Sequence, residues 1–174
     1  LLLLLAIITG FSVANLYYLQ PLLSEVGISF QVSPTTVGSA AMLTQIGYAI
    51  GMLFILPLAV MVTKKRLICS VALGAAIILL IIGITNSLWV FLIATLLLGV
   101  FSVTPQLIIP LGAELADAQK RGAVIGKIMS GLFIGILLSR TVSGFIGEYF
   151  GWHMVYFIAS GLMLFIVIMV VFYL

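Results

Sequence analysis

The chain has 174 residues, 64% of them hydrophobic and 6% charged, with a formal net charge of +3. A soluble domain carries about 25% charged residues, whereas residues 67–113 here carry none, a run long enough to cross a bilayer twice at about 20 residues per crossing. The composition excludes a water-soluble domain, and the small basic excess, concentrated at two connections, gives no support to nucleic-acid binding.

Six apolar spans occur in chain order. The first covers residues 1–23 and ends before the break "GISFQVSPT". The second covers 34–62, with Pro34 suited to a first helical turn, and is closed by Lys64, Lys65 and Arg66, read as a loop. The third covers 67–84 and stops at "TNS"; the fourth covers 88–115, the fifth 122–149 and the sixth 154–174. Each reads as long and unbroken, without the ten-residue alternation of a membrane β-barrel. The expected fold class is therefore an all-α integral membrane domain of six transmembrane helices.

Cations set the orientation. Lys64, Lys65 and Arg66 lie between spans two and three, and Lys120 and Arg121 between spans four and five, with Lys127 further in. The other three connections carry no Lys or Arg. Positive residues mark cytoplasmic loops, so both ends of the chain are expected inside. The chain reads as trimmed at both ends, as one half of something larger. "LLLLLAIITG" lacks the basic leader and cleavage site of a signal peptide. A single Cys69 excludes an intrachain disulfide, and no His/Cys cluster predicts a metal or cofactor.

The chain echoes itself. "FSVANLYYLQPLLSE" (11–25) and "FSVTPQLIIPLGAE" (101–114) open alike, and "GYAIG" (47–51) shares its frame with "GLFIG" (131–135). Units 1–85 and 86–174 then hold three spans each. An odd number forces the second copy to be inverted, the arrangement of transporters whose site lies near midplane between repeats.

Polar residues recur inside spans one, two, four and five: Asn15 and Tyr18, then Gln45 and Tyr48, then Thr104 and Gln106, and finally Arg140. Individually they read as interhelical glue; together they favour a shared aqueous cavity. Pro105 and Pro110 each remove a backbone bond, freeing the carbonyls of Phe101 and Gln106. On span five Gly131, Gly135, Ser139, Ser143 and Gly147 recur every fourth residue, a small-residue packing stripe. Arg140 stands beside that stripe, roughly 12 Å inward of Glu148 at 1.5 Å per residue, where an unpaired charge is costly. Three roles are open to it: holding the carbonyls freed on span four, pairing with a carboxylate in an absent half, or attracting an anionic substrate.

The segments "ANLYYLQPLL" (14–23), "TPQLIIPLGAELA" (104–116), "RGAVIGKIMSGLFIGILLSRTVSG" (121–144) and "GWHMVYF" (151–157) give the chain a family likeness. It resembles the amino-terminal half of a major facilitator superfamily transporter, of the bacterial drug- or sugar-efflux-like proton antiporter group. The resemblance implies a non-enzymatic secondary transporter of the bacterial inner membrane. It implies alternating access between two six-helix halves, a small-molecule substrate and a proton as coupling ion. A carboxy-terminal half, or a second copy, is then a partner alongside the lipid bilayer. Two departures stand out. The family's Gly-x-x-x-Asp-x-x-Gly loop reads Leu56, Val60 and Thr63 at its Gly, Asp and Gly positions, and the fifth span keeps glycines but no proline.

Proton coupling needs a titrating group near the path, and Glu25, Glu114, Asp117 and Glu148 all lie near span ends. An intramembrane serine protease fails, because "TVSG" has Thr141 where its glycine belongs and His153 lies ten residues from Ser143. A six-helix channel or a non-transporting scaffold remains the alternative.

Overall fold

The computed structural model describes residues 2–174, leaving Leu1, the first residue of the expected first span, outside. Every regular element among the described residues is helical: α1 (Leu2–Ala14), α2 (Leu23–Phe30), α3 (Pro34–Ile55), α4 (Lys64–Ile84), α5 (Leu88–Phe101), α6 (Thr104–Glu114), α7 (Arg121–Phe150) and α8 (Trp152–Tyr173). Single 3₁₀ turns cover Gln20–Leu22, Leu56–Val60 and Ala118–Lys120. Among the described residues five stretches are long and apolar enough to cross a membrane: Pro34–Val60, Lys64–Ile84, Leu88–Glu114, Ala118–Phe150 and Trp152–Tyr173. The shorter apolar α1, carried on by an irregular segment to the turn at Gln20–Leu22, makes the sixth crossing.

Three of the six crossings are broken where unbroken helices were expected. Proline is the reason in each case, because it cannot donate its backbone bond and its ring clashes one turn back. Ahead of Pro21 the α-helical pattern stops at Ala14, Pro57 tightens the end of the second crossing into a 3₁₀ turn, and the fourth splits at Ser102–Val103, just before Pro105. Lys64, Lys65 and Arg66 do not form a loop either: they are the first turn of α4, entered from an extended Thr63.

The connections have local causes. Gln31 takes a left-handed conformation (φ 56°), so that its own N–H and that of Val32 close α2 onto Ile28 and Gly27. Ser33 then caps α3, its hydroxyl accepting from the Thr36 N–H, with Pro34 following. Between α7 and α8 the chain turns on Gly151 at φ 84°, a region in which a side chain would be strained. At this end Phe30, Phe91 and Trp152 meet with ring centroids 5.4–5.7 Å apart. They tie α2 to the starts of α5 and α8, as aromatic rings do at a membrane interface.

The helix pairing shows the inverted repeat. The closest pairs are α1 with α7, α3 with α5, and α4 with α8. Exchanging the first three crossings for the last three turns the first pair into the second and returns the third to itself. Residue contacts obey the same rule. Gly47 faces Leu96 and Gly51 faces Val100, while Gly131 faces Ala6 and Gly135 faces Gly10. These partners are equivalent positions when Phe-Ser-Val at 11–13 is laid on Phe-Ser-Val at 101–103.

At both seams backbone meets backbone. A Cβ on Gly99 would strike the Thr44 carbonyl and lie 2.7 Å from the Tyr48 nitrogen, whereas one on Gly126 would meet nothing. Gly99→Val is therefore expected to destabilise the folded protein by about 1–3 kcal/mol or more, as overpacking does. Gly126→Ala should leave stability within about 0.5 kcal/mol or raise it slightly. Thermal unfolding of the two variants in one detergent checks this; equal midpoints would remove the seam from the account.

Candidate functional site

The polar residues of the spans separate into two groups. In the first, the Gln106 amide on α6 donates to the Tyr48 hydroxyl on α3 at 2.9 Å. The Arg140 guanidinium on α7 stands over the Tyr17 ring of the first crossing, 5.3 Å from its centroid. Two contacts between crossings thus engage an arginine, two phenols and an amide drawn from four crossings. Gln45, one turn before Tyr48 on α3, is exposed and unbonded. Gln106 also lines a cavity of about 210 Å³ shared with Leu56, Ala59, Leu107, Pro110 and Lys64. The ammonium of Lys64 pairs with Glu114, joining the starts and ends of neighbouring crossings.

The second group is buried elsewhere. Asn15 donates to the Met163 sulfur at 3.4 Å, which ties the first crossing to α8. Tyr18 is buried and turns into a groove between α1 and α7. Thr104 is fully buried with its hydroxyl unpartnered. Thr44, beside Gln45, bonds back to the Ala40 carbonyl of its own helix.

Tyr17 is the member that sequence spacing misses. Reading the first crossing as a continuous helix places Asn15 and Tyr18 on one face and turns Tyr17 away. The α-helical pattern has ended at Ala14, and this stretch is a succession of turns, Leu16 N–H to Val13 and Tyr17 N–H to Ala14. Only the proline at 21, four residues on, signalled that the face could rotate.

Arg140 donates no hydrogen bond to the carbonyls of Phe101 or Gln106; its side chain is exposed and rests on the Tyr17 ring. Such cation–π contact contributes about 0.5–2 kcal/mol depending on desolvation, less than a buried ion pair requires, so the guanidinium keeps donors free for a further partner.

The small-residue stripe of α7 tracks the first crossing throughout. Gly131 and Gly135 touch α1, Ser139 and Ser143 are buried, and Gly147 meets Leu22 and the Glu25 carboxylate. Glu25 lies beyond the crossing, on α2. Burial pushes its carboxyl above the ordinary value, and the negative charge of Glu148 acts in the same direction. The other two acids are paired, Glu114 with Lys64 and Asp117 with Lys120. No group of three or more His, Cys, Asp or Glu able to hold a metal occurs among the described residues.

Comparison with known proteins agrees with this architecture. The family model described as Major Facilitator Superfamily matches residues 2–174. The chain is 45% identical over 163 residues to the uncharacterized transporter YgaY of Escherichia coli O157:H7, covering 94% of this chain and 41% of that protein. It is 29% identical over 142 residues to the uncharacterized MFS-type transporter YybF of Bacillus subtilis, covering 81% and 35%. It is 30% identical over 100 residues to the multidrug resistance protein MdtG of Salmonella paratyphi A, covering 58% and 25%. The chain thus spans about two fifths or less of the length of these relatives. Its six apolar crossings, the symmetry-related glycine seams and the family match over the described chain together place it in the Major Facilitator Superfamily.

Proposed function

We propose that the chain is one six-helix half of a secondary active transporter, built from repeat units 1–85 and 86–174, that exports a small molecule by alternating access with protons as the driving ion. The observation that carries the reading is the Arg140–Tyr17 and Tyr48–Gln106 constellation. It gathers one polar contribution from each of crossings one, two, four and five, where two inverted repeats meet. The relatives' greater length supports a second half that completes the cavity. The efflux direction is supported by the likeness to a protein named for multidrug resistance. A scaffold needs no guanidinium with unfilled donors.

The substrate assigned to Arg140 carries an anionic or strongly accepting group. Its planar fork suits such a group better than an ammonium does. Arg140→Lys, which keeps the charge, is expected to retain part of the substrate flux in the intact transporter, and Arg140→Gln almost none, with both variants unfolding at the parent temperature. Normal flux in both variants would place the site elsewhere.

Orientation in the inner membrane is assigned from the cations, with Lys64, Lys65, Arg66, Lys120 and Arg121 cytoplasmic and both ends of the chain on that side. Single cysteines at Thr63 and Asn86, in a Cys69→Ser background, report it. An impermeant thiol reagent on intact cells should label position 86 and leave position 63 unlabelled; the opposite pattern inverts the assignment.

The proton site assigned within this half is Glu25 beside Glu148. A carboxyl raised in the folded protein favours the protonated form, so its contribution to stability is fully present below the ordinary value of 4.5. It is lost as pH rises through the higher folded value. The midpoint of thermal unfolding should therefore fall relative to that of Glu25→Gln as pH is raised from 4.5 upward. Parallel pH profiles for the two proteins would remove Glu25 from the coupling scheme.

A further inference from the structure

A second cavity, lined by none of Tyr17, Tyr48, Gln106 and Arg140, runs along the first crossing. It is a groove of about 760 Å³ between α1 and α7, closed at its back by Leu162 of α8. Leu3, Ile7 and Phe11 line one wall, and Ile134 and Leu138 the other, with Lys127 at the end nearest the start of α7. The close approach of Gly10 to Gly131 and Gly135 forms its floor, because two backbones in contact leave the flanking side chains splayed apart.

Lys127 is the feature that the packing does not explain. It stands six residues inside Arg121, about 9 Å along the helix, within a stretch apolar enough to cross a membrane. Among the described residues it has no ion pair, since the nearby acids Glu114 and Asp117 are held by Lys64 and Lys120. No acidic residue lines the groove. An unpaired ammonium at that depth reaches outward along its apolar stem and lowers its energy by meeting an anion at headgroup level.

The groove has the matching dimension. From Lys127 to Val142 it runs along α7 for about 22 Å at 1.5 Å per residue, longer than one leaflet's hydrocarbon layer, half of about 30 Å. An acyl chain whose headgroup sits at Lys127 finds a mainly apolar wall, interrupted by Ser130, Ser139 and Tyr18. We infer that this groove holds one anionic phospholipid, its headgroup phosphate on Lys127 and one acyl chain between α1 and α7. Because α7 also carries Arg140, an occupied groove would brace the helix that presents the guanidinium. The inference stands apart from the transport reading, and its failure leaves that reading untouched.

The test is native mass spectrometry of the intact protein in mild detergent. Dioleoyl phosphatidylglycerol, dioleoyl phosphatidylcholine or inorganic phosphate is added in turn. One phosphatidylglycerol should be retained, with little phosphatidylcholine and no phosphate. Lys127→Gln should lower its retention about fivefold, the effect of one basic residue near an anionic surface, and Lys127→Arg should keep it. Ile7→Trp fills the groove without touching the charge and should also lower retention, which decides the matter if Lys127→Gln does not fold. Lys120→Gln removes an exposed cation outside the groove and should change nothing. Equal retention of the two lipids, binding of phosphate alone, or an equal loss in Lys120→Gln would each overturn the assignment.

Discussion

Helices in a bilayer gain nothing from hiding apolar faces from one another, because the lipid is as apolar as they are; they associate through close packing and hydrogen bonds. In this protein that requirement is met by backbone-to-backbone contact at glycine. Gly47, Gly51 and Gly99 bring α3 onto α5, and Gly10, Gly131 and Gly135 bring α1 onto α7. The two seams are one arrangement used twice, in opposite senses across the membrane. The third close pair, α4 with α8, maps onto itself and is joined by the Ser160 hydroxyl donating to the Ala76 carbonyl at 2.8 Å.

The seams leave the prolines to shape the site. A proline at depth is tolerated where the freed backbone is satisfied locally or lines a cavity, and both conditions occur. The turns at Leu16 and Tyr17 satisfy the backbone ahead of Pro21, and Pro110 lines the cavity beneath Gln106. Breaking the first and fourth crossings beside their Phe-Ser-Val segments rotates the residues beyond each break. Tyr17 meets Arg140 of α7, while Asn15 is left to the α8 interface.

The cation-rich end is organised by placement rather than by a loop. Lysines in the first turn of α4 oppose the helix dipole. Their charge is answered by neighbours: Lys64 pairs with Glu114, and Lys65 donates to the Val171 carbonyl at 2.8 Å, near the end of α8. Val60, at the position where the family carries an acid, is 92% exposed in the 3₁₀ turn set by Pro57. At this end of the molecule Lys64 and Glu114 join the start of α4 to the end of α6, while the exposed Val60 stands apart from that pair.

The membrane character, the helical class, the six crossings and the repeat could all be read from the chain, because each depends on local composition or on short matched segments such as "GYAIG" and "GLFIG". The small-residue stripe of α7 was visible for the same reason, since a helix keeps its period along its length. What the sequence could not show was which polar groups meet. Asn15 and Tyr18 looked like one face with Gln45 and Tyr48 only on the premise of an unbroken first helix, and Pro21 voided that premise. The partner of Arg140 lay on another crossing, reached through a break whose rotation no linear pattern records. Likewise Lys64 and Glu114 are far apart in the chain and adjacent only because α4 and α6 start and end at the same level. Local chemistry writes the elements into the sequence; contacts between broken helices depend on tertiary packing, and only the folded structure decides them.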